Sequence, residues 1–559
     1  MDLLPDPPHC PPHRPPLLPS AHRDTFPRDH LPPRDQWPDL TLAAAGLRYP
    51  DRLNCAVELL DATARRLGPD RPCLRMPGGE VWSYDELRAA SDRIAHVLTD
   101  DLGVVPGNRV LLRGPTTPWL VACWFAVLKA GAVAVTVLAA QRPHELAVIC
   151  DIARVRHALC DVRAVDDLVK AEVPGLKVTA FGGESATDLL SLAAGRPDRF
   201  EAVETSADDV ALIAFTSGTT GRPKGCMHFH RDLLAIADTF SARVLRPRAE
   251  DVFAGSPPLG FTFGLGGLVV FPLRAGASAL LLEDAHPDQL LAAIGRHRVS
   301  VVFTAPTAYR VMLAKLAGEP AAHDIGSLRR CVSAGENLPA ATWHAWRERT
   351  GLSIVNGIGA TEMLHIFISA ADDAIRPGTT GVAVPGYEAR VVDGVTMEPV
   401  PDGEPGLLAV RGPTGCRYLA DERQRDYVRD GWNLTGDTYV RDADGYFTYV
   451  ARADDMIISA GYNIAAPEVE EALLRHPDVR EAAVVGVPDA ERGQIARAFV
   501  VLREGVPGGE GTAAALREFT KGEIVPYKCP REIVFTDALP RTPTGKVQRF
   551  RLREPGAGG

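Results

Sequence analysis

Residues 210–225, VALIAFTSGTTGRPKG, constrain this chain more than any other stretch. Val210 to Phe215 form an apolar, β-branched run of the length of a buried strand. The run empties into Thr216, Ser217, Gly218, Thr219, Thr220, Gly221, Arg222, Pro223, Lys224 and Gly225. Glycines there let backbone N–H groups close on a ligand, the hydroxyls add donors, and Lys224 adds a mobile positive charge, so the loop suits a polyphosphate. It is not a Walker loop, because Gly225 follows Lys224 where Ser or Thr is required and Gly221 stands three residues before the lysine.

The text on either side of this loop alternates strands with helices. WSYDELRAASDRIAHVLTDDL reads as a helix, RVLLRG as a strand, and PWLVACWFAVLKAGAVAVTV as a helix followed by a strand. VSVVFTAPTAYRVMLAKL and LRRCVSAGENLPAATWHAW are each a strand running into a helix. This alternation predicts an α/β fold with parallel sheets and ligand groups at the carboxyl ends of the strands. From Gly381 to Val450, short strands and the turns PDGEPG and RDADGY predict a small antiparallel β unit, and after Asp454 a compact α+β module follows. With 559 residues, more than one domain is expected. We divide the chain into a disordered proline-rich extension (1–22), a large domain (23–453) and a small, mobile C-terminal domain (454–559).

Composition narrows the function classes. A net charge of −10 argues against nucleic-acid and anionic-membrane surfaces. The ten cysteines are scattered without a C-x-x-C pair, which fits reduced, buried thiols and a cytoplasmic setting. No apolar run reaches the roughly 18 residues of a membrane span. The glycines of FTFGLGGLVVF fail as a dinucleotide fingerprint, because Val269 stands where the third glycine belongs.

Several further motifs carry chemistry. Ser333, Ala334, Gly335 and Glu336 close a strand with a glycine turn against which a planar base could lie. Asn356, Gly357, Ile358, Gly359, Ala360, Thr361 and Glu362 follow, and a carboxylate beside a polyphosphate suits Mg²⁺. In WNLTGD, Asp437 follows a tight turn and can accept both hydroxyls of a ribose.

Together, TSGTTGRPKG, NGIGATE, TGD, VARADDMIISAGYNIAAPEVE and LPRTPTGKVQR resemble the motifs of the adenylate-forming superfamily of acyl-CoA synthetases, peptide-synthetase adenylation domains and luciferases. The resemblance covers nearly all the chain from about Asp24. It implies ATP, Mg²⁺ and CoA as ligands, Lys224, Glu362 and Lys546 as catalytic residues, and Glu362 as metal ligand. It also implies that Thr216 to Gly221, Ser333 to Glu336, Asn356 to Thr361, Asp437 and Arg452 hold ATP. Asp454 resembles the family's hinge and Gly461 the glycine that lets pantetheine pass. Ile358 stands where the family often carries an aromatic residue that stacks on adenine.

Within the superfamily, GCMHFHRDLLAIADTF, SPPLGFTFGLGGLVVFPL and GIGATEMLHIFIS are most similar to the benzoate and 2-aminobenzoate CoA ligase branch. By that analogy Phe261, Thr262, Phe263, Gly264, Ile358 and His365 form the acyl pocket, with His228 and His230 as packing or capping residues. The implied activity is ligation of an aromatic acid to CoA through an acyl-adenylate. Loading of the acid onto an acyl carrier protein is the alternative, and a non-catalytic nucleotide-binding regulator is the remote one.

Overall fold

The computed structural model describes residues 16–216, 223–318, 323–452, 456–459, 462–489, 492–524, 526–541 and 547–553. Ser217, Gly218, Thr219, Thr220, Gly221, Asp454, Gly461 and Lys546 therefore lie outside the described residues.

Two large sheets build the N-terminal domain. The first has six strands in the order Lys177–Phe181, His157–Asp161, Arg109–Gly114, Val133–Leu138, Val210–Thr216 and Lys224–Phe229. Its first five strands run parallel, and Lys224–Phe229 returns antiparallel beside Val210–Thr216. The second sheet has nine strands. Its six inner strands, from Pro72–Arg75 to Ile354–Gly359, are parallel, and the edges are antiparallel.

Burial on both faces explains the unbroken apolar runs, since parallel strands are covered by helices on either side. Arg109–Gly114 is buried at every position. Helix Pro118–Lys129 is apolar almost all round because it packs into the core shared by both sheets, where Phe125 belongs to one buried cluster with Leu112 and Leu212 of the first sheet and Phe253 and Phe303 of the second. Pro118 opens it, and Thr117 caps it by accepting a hydrogen bond from the Leu120 N–H. The helix ends in Lys129, which is fully buried but sits 2.7 Å from Asp92 and 2.9 Å from Asp61, so its charge is compensated on two sides.

Strands Val301–Thr304, Arg330–Ser333 and Ile354–Gly359 are neighbours in register, so the residues leaving their carboxyl ends meet over one edge of the second sheet. A third, antiparallel sheet holds Glu388–Val392, Pro405–Arg411, Trp432–Arg441 and Phe447–Arg452, the small β unit expected from its turns. The smaller C-terminal domain has its own sheet, built on the long hairpin Val479–Asp489 and Gly493–Leu502. Helices Ala466–Leu474 and Glu510–Glu523 bury Val469, Leu473 and Leu516 against it.

One sequence expectation needs correction. Residues 16–22, assigned above to the disordered extension, are seated on the large domain. Prolines 16 and 19 cannot donate to a sheet, but this segment does not need a ladder. Three of its donors go to two buried carboxylates: Leu18 N–H to Asp208 at 3.2 Å, Ala21 N–H to Asp209 at 2.9 Å, and the Ser20 hydroxyl also to Asp209. Among the described residues the nine cysteines are free and buried, and no helix is long and apolar enough to cross a membrane.

Candidate active site

The two ends of the glycine-rich loop are fixed by the hairpin that carries it, with Thr216 directly opposite Lys224. Because side chains alternate along a strand, Lys224, Cys226 and His228 project to the same side. That side faces the turn Thr361–Met363, which carries Glu362. His228 Nε2 lies 2.8 Å from the Thr361 carbonyl, and the Thr414 hydroxyl donates to the Met363 carbonyl at 2.8 Å, so the turn is held at both ends. Burial lowers the His228 pKa to about 4, which keeps the ring neutral.

Glu362 is 7% exposed. Its Oε1 accepts a hydrogen bond from the Tyr418 hydroxyl at 2.6 Å and lies 3.8 Å from Lys224 Nζ. The ammonium also sits 4.6 Å from the centre of the Tyr418 ring and 5.8 Å from that of Tyr427. Burial, with Glu362 adding to it, holds the Tyr418 phenol far above its ordinary pKa, so it remains a donor.

A polar cleft of about 290 Å³ opens where the two domains face each other. On the large-domain side it is lined by Gly335, Asn356, Gly357, Ile358, Asp437 and Arg452. Arg452 Nη1 is 3.1 Å from Asp437 Oδ1 and 3.3 Å from the Thr435 carbonyl. Asn356 Oδ1 is buried without a hydrogen-bond partner among the described residues. Facing these, the C-terminal domain contributes Glu470, Arg480, Glu481, Arg541, Val547 and Arg549. Arg549 is forked onto both oxygens of Glu470 at 2.8 Å, and Arg541 pairs with Glu481. Arg541 and Val547, on either side of the segment that contains Lys546, bridge to each other, and both line the cleft.

A second cavity of about 690 Å³ meets the cleft at Thr307, Gly335, Glu336 and Gly359. Phe261, Thr262, Phe263, Ala305, Ala308 and His365 line it. His365 is 2% exposed, and its ring meets the Phe263 backbone. Its ring lies 4.5 Å from Phe271, 5.5 Å from Phe240 and 5.6 Å from Phe263, centre to centre, and burial in this cage lowers its pKa to about 3.

The profile of the AMP-binding enzyme family matches residues 60–418, and that of the AMP-binding enzyme C-terminal domain matches residues 468–546. The chain belongs to the AMP-binding enzyme family. It is 34% identical over 521 residues to a benzoate–CoA ligase of Thauera aromatica, covering 91% of this chain and 97% of that one. Among solved structures it resembles the anthranilate CoA ligase AuaEII in complex with anthranoyl-AMP, with TM-score 0.84 and 34% identity over 90% of this chain and 97% of that one. It also resembles a benzoate CoA ligase from Burkholderia xenovorans LB400, with TM-score 0.81 and 33% identity over 90% of this chain and all of that one.

Several family-motif residues sit elsewhere than their motifs suggest. Ile358, expected in both the nucleotide site and the acyl pocket, lines the polar cleft and not the second cavity. Ala334, Ala360 and Thr361 line the second cavity rather than the cleft, and Ser333 is fully buried. Gly264 lines neither cavity. A Cβ there would lie 2.2 Å from the Pro258 carbonyl oxygen and 2.5 Å from that of Pro257, so this glycine lets the cavity-lining prolines approach. Asp437 follows no turn: it lies inside strand Trp432–Arg441, at a bulge made by Gly436 with φ +75°. His230 is fully buried with Nδ1 beside the Cys55 amide, which makes it a packing residue.

Sequence reasoning missed Tyr418, Thr307, Arg310, Arg480, Glu470 and Glu481, whose roles depend on contacts between distant segments. Arg541 and Arg549 lie within LPRTPTGKVQR, on either side of residues 542–546, and the motif's own arginines were a signal that could have found them.

Proposed function

We propose that this protein is an ATP-dependent aryl-CoA ligase. It adenylates an aromatic carboxylic acid of the benzoate or 2-aminobenzoate type and transfers the acyl group to CoA, releasing pyrophosphate and AMP. The enzyme class, an AMP-forming acyl-CoA synthetase, follows from the family and from the curated ligases it resembles. The observation that carries the finer reading is the junction of two unlike cavities at Gly335, Glu336 and Gly359. An aromatic ring in the Phe263 and His365 cavity would direct its carboxylate toward a nucleotide in the polar cleft.

In this reading Asp437 accepts the ribose hydroxyls, and the unpartnered Asn356 oxygen accepts from the adenine amine. Thr216 to Gly221 and Lys224 surround the phosphates. A carboxylate is a poor nucleophile, so the protein's task is to align it with the α-phosphate and to balance the charge that develops there. Lys224 and Lys546 supply that balance. Glu362 fits a Mg²⁺ ligand: its Oε2 takes no hydrogen bond among the described residues, and Mg²⁺ asks for one or two carboxylates beside phosphate oxygens. When bound, the ion supplies positive charge to the phosphates.

For the second half-reaction we propose that the C-terminal domain turns about Asp454, which withdraws Lys546 and presents Gly461 to the thiol. We take the domain boundary to lie there. The curated ligases favour CoA over a carrier protein as acceptor, and they do not favour a silent regulator. The test is acid-dependent exchange of labelled pyrophosphate into ATP across a panel of aromatic and short aliphatic acids. Exchange with benzoates supports the assignment, and exchange with aliphatic acids alone overturns it.

A further inference from the structure

We infer that Tyr418 is a positioning residue for adenylation, holding Glu362 and Lys224 side by side without letting them neutralise each other. This inference rests on the function proposed above. At 3.8 Å, Lys224 Nζ and Glu362 Oε1 stand well beyond the roughly 2.7–2.9 Å of a charge-assisted hydrogen bond. Opposite charges on flexible stems in a half-buried site would ordinarily close that gap. Tyr418 gives each of them another partner. Its hydroxyl occupies Glu362 Oε1 at 2.6 Å, and its ring face carries the Lys224 ammonium at 4.6 Å. The lysine keeps its charge for phosphate, and the carboxylate is turned to present Oε2.

The backbone around Tyr418 is fixed to match. Met227 N–H donates to the Arg417 carbonyl and Leu419 N–H to the Gly225 carbonyl, both at 2.8 Å, so residues 417–419 extend the sheet beside the strand that carries Lys224. The Tyr418 N–H donates to Gln424 Oε1 at 2.8 Å, and Gln424 Nε2 donates to the Gln36 carbonyl at 2.8 Å. Arg417, pointing the opposite way, is fully buried against Asp232 and the Phe229 ring. Tyr418 lines neither cavity, so it acts through Glu362 and Lys224 rather than on substrate.

The hydroxyl and the ring can be tested separately in the full-length enzyme. Tyr418→Phe removes the hydrogen bond and keeps the seat for Lys224, whereas Tyr418→Leu removes both. A hydrogen bond to a charged group carries enough energy for a roughly 10- to 100-fold effect. Tyr418→Phe is therefore expected to slow acid-dependent pyrophosphate exchange by about that factor, with a further loss in Tyr418→Leu. Thioester formation from supplied aryl-adenylate and CoA should stay within about twofold of wild type. Calorimetry gives a readout independent of turnover: Tyr418→Phe should weaken binding of Mg·ATP several-fold, and by more than it weakens metal-free ATP.

Combining Tyr418→Phe with Glu362→Gln provides a second route. The two changes should be far from additive, because Tyr418 acts through Glu362. Additive losses, equal losses in both half-reactions, or unchanged Mg·ATP binding would each overturn the inference. A wild-type enzyme without exchange on any aromatic acid would instead overturn the proposed function, while the Mg·ATP comparison would still decide the role of Tyr418.

Discussion

Gly266→Ala separates the acyl-pocket assignment from simple packing. Gly266 lies in a helical stretch and needs no special backbone conformation, so alanine there gains about 1 kcal/mol of helix preference. Its Cβ, however, would lie 2.3 Å from His365 Cδ2, 2.6 Å from Nε2 and 3.3 Å from Phe271 Cζ. Ordinary contact begins near 3.4 Å, so the imidazole has to move by about 1 Å. The clashing atoms belong to the far end of a side chain, not to backbone. Overpacking of this kind costs about 1–3 kcal/mol. The net loss is then about 0–2 kcal/mol, which is no more than a few degrees in Tm for a protein of this size. Catalysis should suffer more, because a displacement of about 1 Å in a substrate wall can cost on the order of 100-fold. Steady-state kinetics with benzoate, 2-aminobenzoate and ring-substituted acids should show kcat/KM lowered by roughly 10- to 100-fold, with KM for ATP unchanged. Wild-type kcat/KM across that panel would refute the placement of His365 in the acyl wall.

Other outcomes follow from the same account. Lys546→Ala should nearly abolish adenylation and spare thioester formation from supplied aryl-adenylate; equal loss of both would contradict its assignment. Asp454→Pro should do the reverse by restricting rotation, and equal slowing of both half-reactions would refute the hinge. Stability should fall with acid well before the carboxylates titrate. His228, His230 and His365 are buried with pKa values lowered from 6.5 to about 4, 3 and 3. The unfolded chain therefore binds protons below about pH 6.5 that the folded chain refuses. Stability is complete above that pH and is lost as pH falls toward 4, by up to about 1.4 kcal/mol per histidine per pH unit. Denaturant titrations at pH 7 and pH 5 should differ by roughly 2 kcal/mol for each of the three, and equal midpoints would refute the burial argument.

The parallel sheets were legible because their strands are buried on both faces, which leaves unbroken runs such as Val133–Leu138 that only covered strands tolerate. The strand Val210–Thr216 that leads into the glycine-rich stretch was legible for the same reason, because its first five positions are all buried. Legibility failed where a residue's role is set by what lies across the fold. Tyr418 and Glu362 are 56 residues apart, and nothing in either neighbourhood announces the hydrogen bond between them. Asp437 read as a turn residue because TGD carries turn composition, whereas a bulge inside a long strand uses the same left-handed glycine. Residues 16–22 read as disordered because proline hides any ladder pattern, while their attachment to Asp208 and Asp209 depends on carboxylates nearly two hundred positions away.

The most direct test of the central claim is mass spectrometry of the products formed from enzyme, ATP and Mg²⁺ with a panel of benzoates and short fatty acids, each with and without CoA. The account expects an aryl-adenylate without CoA, and an aryl-CoA ester with AMP when CoA is present. An adenylate that never becomes a CoA ester, or esters of fatty acids alone, would contradict it.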